Sequence, residues 1–225
     1  MIMKLEKIYK IAGKITVLTG LHIGAGSDTM EIGGMDQPII KHPITEAPYI
    51  PGSSIKGKMR SLLETGYFID REATKKFLMT GKPCNCGETD CPACTIFGNM
   101  AKDSQTGPTR IVVRDANLTA EFQEKFISGN LPMEVKHENT IDRVKGTAMH
   151  PRPLERVPAG VEFDFNISLK QYAGDNPSLK DYVLKGLKMI ELDALGGNSS
   201  RGCGQVRFDD LKVDGESVSL DAISL

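Results

Sequence analysis

"SLKDYVLKGLKMIELDALGGNSSRGCGQVRFDDLKV", residues 178 to 213, changes its period midway and so sets the fold. Leu179, Tyr182, Val183, Leu187 and Ile190 recur at helical spacing, which gives an amphipathic helix with one apolar stripe. The glycine-rich run 196 to 204 ends it, and "QVRFDDLKV" reads as a last strand. An earlier stretch has the same grammar. "YIPGSSIKGKMRSLLE", residues 49 to 64, offers Ser53 or Ser54 as a cap and places Ile55, Met59, Leu62 and Leu63 on one helix face.

Strand-like segments surround these two helices. "KIYKIAGKITVLTGLHIGAG" is β-branched and alternating from Ile8 to Ile23, which predicts a long first strand ending at Gly24. "TRIVVRDANL" reads as a core strand. "MEVKHENTIDRVKGTAMHPRPLERVPAGVEFDFNISLKQ" reads as a long β-hairpin arm. Val161, Phe163, Phe165, Ile167 and Leu169 form the buried face of its return strand. Its tip, from Lys145 to Arg156, is too charged and proline-rich to pack inside. Stripped of insertions the order is β-α-β-β-α-β, an α+β ferredoxin-like (RRM-like) core. The reading is one domain over 1–225, with an irregular insertion at 25–50, a cysteine-rich insertion at 80–108 and the arm at 134–157. Loops as long as the first are usually functional.

Lys plus Arg total 28 against 29 Asp plus Glu, so no basic surplus marks a nucleic-acid binder and any phosphate surface must be a local cluster. The apolar runs are far too short to span a membrane, and "MIMKLEKIYKIAGK" lacks the apolar core and cleavage site of a secretory signal. A cytoplasmic protein with no membrane partner is expected.

"CNCGETDCPAC" supplies Cys84, Cys86, Cys91 and Cys94, which can wrap one structural Zn2+ on a loop without a core of its own. Two disulfides are the alternative, disfavoured in a chain without a secretion signal. Cys203 stands alone and reads as a small buried residue. The helix after Ser53 or Ser54 begins with Lys56, Lys58 and Arg60, where the macrodipole prefers anions. Lys56 and Arg60 share a face; with the first-turn amides and the Ser53 and Ser54 hydroxyls they make an anion site, or else a solvated helix face. "GGNSSRGCG" adds Asn198, Ser199, Ser200 and Arg201 as a second phosphate-suited loop. Two such loops beside one sheet suit a nucleic-acid backbone. Asp36, in "EIGGMDQPIIKHP", is an acid on a glycine–proline loop with His22 and His42 at some distance. On pattern alone it caps or solvates a turn as readily as it catalyses.

Taken together, "LHIGAG", "IGGMDQP", "PGSSIKGKMR", the cysteine block with "IFGN", "RIVVRDA", the arm sequence and "LGGNSSRGCGQV" resemble the RAMP superfamily. "GGMDQP" with the arm narrows the likeness to the repeated backbone subunit of type III-A CRISPR (Csm) effector complexes. The resemblance implies copies of the chain stacked in a filament along CRISPR RNA, other Csm subunits as partners, and a thumb that splays the duplex with target RNA. It implies RNA contacts at Ser54, Lys56, Arg60, Ser199 and Arg201, with the thumb tip at Thr147, Ala148 and Met149. His22, near a strand end, reads as an RNA contact or packing residue, with an auxiliary catalytic role as the alternative. It makes Asp36 the catalytic acid for cutting target RNA.

In that chemistry the RNA's own 2′-hydroxyl attacks, and the thumb supplies in-line geometry. Asp36 accepts a proton or holds a divalent cation (Mg2+ or Mn2+). An ordinary carboxylate with a pKa of about 4 is a poor base at neutral pH, which favours the cation-holding role. Two further readings stay open: a non-catalytic structural RNA-binding filament subunit, and a stand-alone CRISPR RNA processing endoribonuclease. The arm and the cysteine insertion argue against the second.

Overall fold

The computed structural model describes residues 3–26 and 37–225. Strand β1 (Leu5–Val17) has Ile11, Ile15 and Val17 fully covered and runs through the middle of a seven-stranded sheet. It ends earlier than Gly24. The Leu18 and Thr19 amides both turn to the Gln205 carbonyl (2.8 and 3.2 Å), which draws the chain out of the ladder. Leu21 then pairs with Val157, and Gly24 with Ile39. The alternating pattern continues to Ile23 because one side stays covered, but the covering partner changes.

After β2 (Tyr49–Ile50), helix α1 (Gly52–Gly66) starts at Pro51 with no side-chain cap of its own, so neither Ser53 nor Ser54 caps it. The cap arrives from elsewhere. The expected core strand at 109 to 118 is broken into β3 (Ile111–Val113) and β4 (Ala116–Leu118). Both lie against β7 (Glu162–Tyr172). Val113 faces Ile167 and Asn117 faces Asp164, so one extra residue bulges at Arg114–Asp115. That bulge presents Asp115, whose Oδ1 accepts the Gly52 N–H at 2.7 Å.

The arm is β5 (Glu134–Ile141) paired antiparallel with β6 (Ala148–Arg156) as a separate two-stranded sheet. Its return strand is therefore β6. The alternating segment from Val161 to Leu169 belongs to the main sheet, where β7 pairs with β1 along eleven residues of its length. Helix α5 (Leu179–Leu192) packs on α1 across Gly186, where an added Cβ would come within 2.4 Å of Met59. Strands β8 (Val206–Val213) and β9 (Glu216–Ser217) complete the order β2-β4-β7-β1-β8-β9, with β3 also on β7.

Phe163, Phe165 and Phe208 are buried, and the last two meet edge to face at 5.1 Å. Polar side chains populate the same strands between them, with Lys14 paired to Glu162 (3.3 Å) and Asp210 (3.5 Å). These phenylalanines are thus core, not a platform on which RNA bases stack.

Three short helices have no counterpart in the sequence reading: α2 (Glu72–Leu78), α3 (Pro92–Phe97) inside the cysteine block, and α4 (Ala120–Ile127). The far end of the cysteine block is pinned by Arg110, 2% exposed, which grips Asp175 through two bonds of 2.8 and 2.7 Å. No helix among the described residues is long and apolar enough to cross a membrane.

Candidate functional site

The two described ends of the loop that carries Asp36 converge on the root of the arm; Asp36 itself, with residues 27–36, lies outside the described residues. Gln37 forms a parallel bridge with Leu154 of β6, and its carbonyl accepts the Glu155 N–H at 3.1 Å. The Glu155 carboxylate, in a buried residue, accepts the Ile39 N–H (3.0 Å) and Lys41 Nζ (2.7 Å). Its carbonyl is 2.8 Å from His22 Nδ1. One residue of the arm therefore holds both flanks of the Asp36 loop. Sequence reasoning missed Glu155, because nothing local distinguishes it from the solvated charges beside it.

His22 is only 8% exposed, and the glycine-rich loop lies on it. The Gly197 N–H donates to the His22 carbonyl at 2.8 Å. Gly196 has φ +80°, and a Cβ there would sit 2.3 Å from the same oxygen. Beyond it, Asn198 (φ 56°) and Gly202 (φ 83°) bracket one tight turn over Ser199–Arg201. Arg201 donates to Glu138 Oε2 at 2.8 Å, and Lys136 Nζ donates to the Arg201 carbonyl at 2.8 Å. Arg156 adds contacts to Glu134 and, at 3.4 Å, to Cys203 Sγ. Loop and arm root thus form one knot, beside a groove of about 340 Å³ that includes Lys136, His137, Arg152 and Arg201.

On α1 the three cations part company. Lys56 is half-buried and has no carboxylate within ion-pair distance among the described residues; burial and then the Arg60 charge hold its ammonium below the ordinary lysine range. Lys58 pairs with Asp193 at 2.7 Å, linking α1 to the end of α5. Arg60 works inward. It donates to Glu64 (2.8 Å), the Gly98 carbonyl (3.1 Å) and the Cys84 carbonyl (2.5 Å). Ser54 stays partly exposed in the first turn. At the arm tip, the Thr147 carbonyl takes the Asp142 N–H (2.9 Å), Ala148 pairs with Ile141, and Met149 is exposed.

The four cysteines of the insertion converge, with all sulfurs within 4.8 Å of one another. Four separations are 3.7 Å (84–86), 3.8 Å (84–91), 3.7 Å (86–94) and 3.9 Å (84–94). Tetrahedral zinc with Zn–S of about 2.3 Å requires an edge of about 3.8 Å. A disulfide requires about 2.05 Å, and all four thiols are free. Burial pushes the Cys86 thiol up to about 12, and bonding to Cys94 together with burial raises that of Cys91. Such a crowd of sulfurs ionises only when a cation offsets the charge. Among the described residues this quartet is the only His/Cys/Asp/Glu group of three or more able to hold a metal.

The family description of the RAMP superfamily matches residues 14–207. The chain belongs to the RAMP superfamily. It is 43% identical to a "CRISPR system Cms endoribonuclease Csm3" from Methanothermobacter thermautotrophicus, over 94% of this chain and 87% of that protein. A protein of the same name from Methanocaldococcus jannaschii is 39% identical over 90% and 79%. A crystal structure of a Csm3–Csm4 subcomplex in the type III-A CRISPR-Cas interference complex superposes with TM-score 0.59 at 29% identity, covering 95% of this chain and 80% of that one. A chain of the type III-B Cmr-beta complex bound to cognate target RNA shares the fold at TM-score 0.60 and 21% identity, over 92% and 61%.

Across this RAMP chain the anticipated positions fall into separate places. His22, Ser199 and Arg201 meet at the arm root, together with the flanks of the Asp36 loop. Thr147 to Met149 lie at the far end of the hairpin from its root pair Glu134–Arg156. Arg60 and the cysteines share a third junction with Glu64, which sequence reasoning missed.

Proposed function

We propose that this chain is the repeated backbone subunit of a type III-A CRISPR effector complex, where it binds CRISPR RNA along a filament of its own copies and cuts complementary target RNA. The observation that carries this is the 43% identity with a Csm3 endoribonuclease across nearly the whole chain. The sheet order, with β7 and β1 central and α1 packed on α5, supports a ferredoxin-like core. In this reading Lys56, Ser54 and the Ser199–Arg201 turn grip RNA backbone, His22 underlies that turn, and Thr147, Ala148 and Met149 lead the thumb into the duplex. Arg60 contributes by its charge and by holding the wall of the site.

Asp36 is the catalytic residue of the proposal. It is the chain neighbour of Gln37, which Glu155 fixes at the thumb root. A carboxylate there meets a strand kinked by the thumb, and the RNA supplies the nucleophile as its 2′-hydroxyl. A divalent cation, Mg2+ or Mn2+, neutralises phosphate charge when bound. The test is the assembled complex with Asp36→Ala. Guide and target RNA should bind at near wild-type affinity while cutting falls by orders of magnitude. Normal cutting would leave a structural filament subunit instead. The cysteine quartet holds one structural Zn2+ per chain, checked by elemental analysis of the purified protein.

A further inference from the structure

Three side chains outside the quartet converge on one of its members. Cys84 has every hydrogen-bonding backbone atom engaged by α1: its N–H donates to Glu64 Oε1 at 3.1 Å, and its carbonyl accepts Arg60 Nη2 at 2.5 Å. Its sulfur takes the Thr74 hydroxyl of α2 at 3.6 Å, within range for sulfur acceptors. Glu64 is 2% exposed and Thr74 fully buried. Neither sits in the cysteine motif. Helix surfaces normally place such groups in water, and burying a carboxylate is costly unless it is paired and bonded. Here the same Glu64 oxygen accepts from Arg60 and from Cys84, so pair and ligand share one hub.

The other three ligands are held locally. Cys91 and Cys94 belong to α3 and its start, bonded along their own helix. Cys86 is partly exposed on the loop. Arg71, at the start of α2, lies close enough to Cys91 to be felt electrostatically, and its guanidinium is paired with Asp90 (2.9 Å) and Glu88 (3.1 Å).

We propose that Glu64 and Thr74, with Arg60, are outer-sphere positioning residues of the metal centre: they fix Cys84 as the preset ligand onto which Cys86, Cys91 and Cys94 close. Outer partners of this kind hold a ligand's geometry and shape the electron density at the donor atom. Thr74 acts on the sulfur directly, by donating a hydrogen bond that a bound thiolate accepts. Glu64 acts through the backbone, by fixing the direction in which the Cys84 side chain leaves the chain. The inference rests on the zinc reading above.

The experiment uses the full chain loaded with Zn2+ or Co2+. Wild type should hold one metal ion; absence of bound metal would overturn the zinc reading itself. With wild type loaded, Thr74→Val, which keeps the shape and loses the hydroxyl, and Glu64→Gln should each release Zn2+ to a chelator about 10–100-fold faster or bind it that much more weakly. Thr74→Ser should restore wild-type behaviour. The Co2+ thiolate absorption bands should shift in Thr74→Val and not in Thr74→Ser. Hydrogen exchange in β1 and β7 separates misfolding from a local effect, since it should stay as in wild type. Metal release and Co2+ spectra identical to wild type in Thr74→Val and Glu64→Gln would overturn the proposal.

Discussion

Asp115 reaches across 63 positions of sequence to accept the Gly52 N–H with its Oδ1 at 2.7 Å. This one contact explains why α1 opens on Lys56, Lys58 and Arg60 with no acid in its own first turn. The negative charge that the helix start prefers is delivered by a bulge in the neighbouring strand. Asp115→Ala should lower stability by about 0.5–2 kcal/mol, with faster amide exchange confined to the start of α1. Gly52→Ala should cost more, because its Cβ would lie 2.3 Å from the Val113 carbonyl oxygen. Chemical denaturation of the three proteins ranks them.

Lys56 and Arg60 should separate under mutation although they sit one turn apart. Lys56→Gln should weaken guide RNA binding for unrelated sequences alike and lower the slope of log affinity against log salt by about one phosphate contact. Its metal content should stay at the wild-type level. Arg60→Gln should instead lose metal, since its guanidinium holds the Cys84 and Gly98 carbonyls.

Gly196 should tolerate no side chain. A Cβ meets the His22 carbonyl at 2.3 Å, and φ +80° adds about 1–3 kcal/mol of backbone strain for other residues. Gly196→Ala should free the Gly197 amide to exchange and loosen the Ser199–Arg201 turn. Guide RNA affinity should fall with it, measured beside Gly174→Ala, which carries the same φ strain (+85°) but whose Cβ meets nothing within 4 Å, so that the pair isolates the clash with His22.

The Arg110–Asp175 pair sets an acid limit. Burial by itself would raise the Asp175 carboxyl, but the Arg110 guanidinium and the Tyr172 amide hold it below the ordinary carboxylate range. A carboxylate depressed in the folded state contributes stability that is present above its unfolded pKa of about 4. That contribution is lost as pH falls through the folded value. Asp175→Asn should therefore lose about 3–5 kcal/mol at pH 7, leaving Arg110 buried and unpaired. Its stability should also depend less on pH below about 4, as followed by denaturation across the acid range.

The local patterns were legible because each is a property of short chain segments. The stripes at Ile55–Met59–Leu63 and Val183–Leu187–Ile190 mark α1 and α5, and the alternation at Phe163–Phe165–Ile167 marks a buried strand face. The spacing of Cys84, Cys86, Cys91 and Cys94 announces their meeting, since four thiols in eleven residues are never far apart. The RAMP motifs were legible too. What the sequence could not express is which partner a polar group finds. Glu155, Asp115 and Glu64 look like surface acids in the chain, and β7 looks like the return strand of the arm. Burial and hydrogen bonding at these positions depend on segments tens of residues away, brought together only when β6 docks on Gln37, the β3–β4 bulge meets α1, and the cysteine loop closes on Arg60. Hydrophobic period is written locally, whereas the pairing of a buried charge is decided by the whole fold.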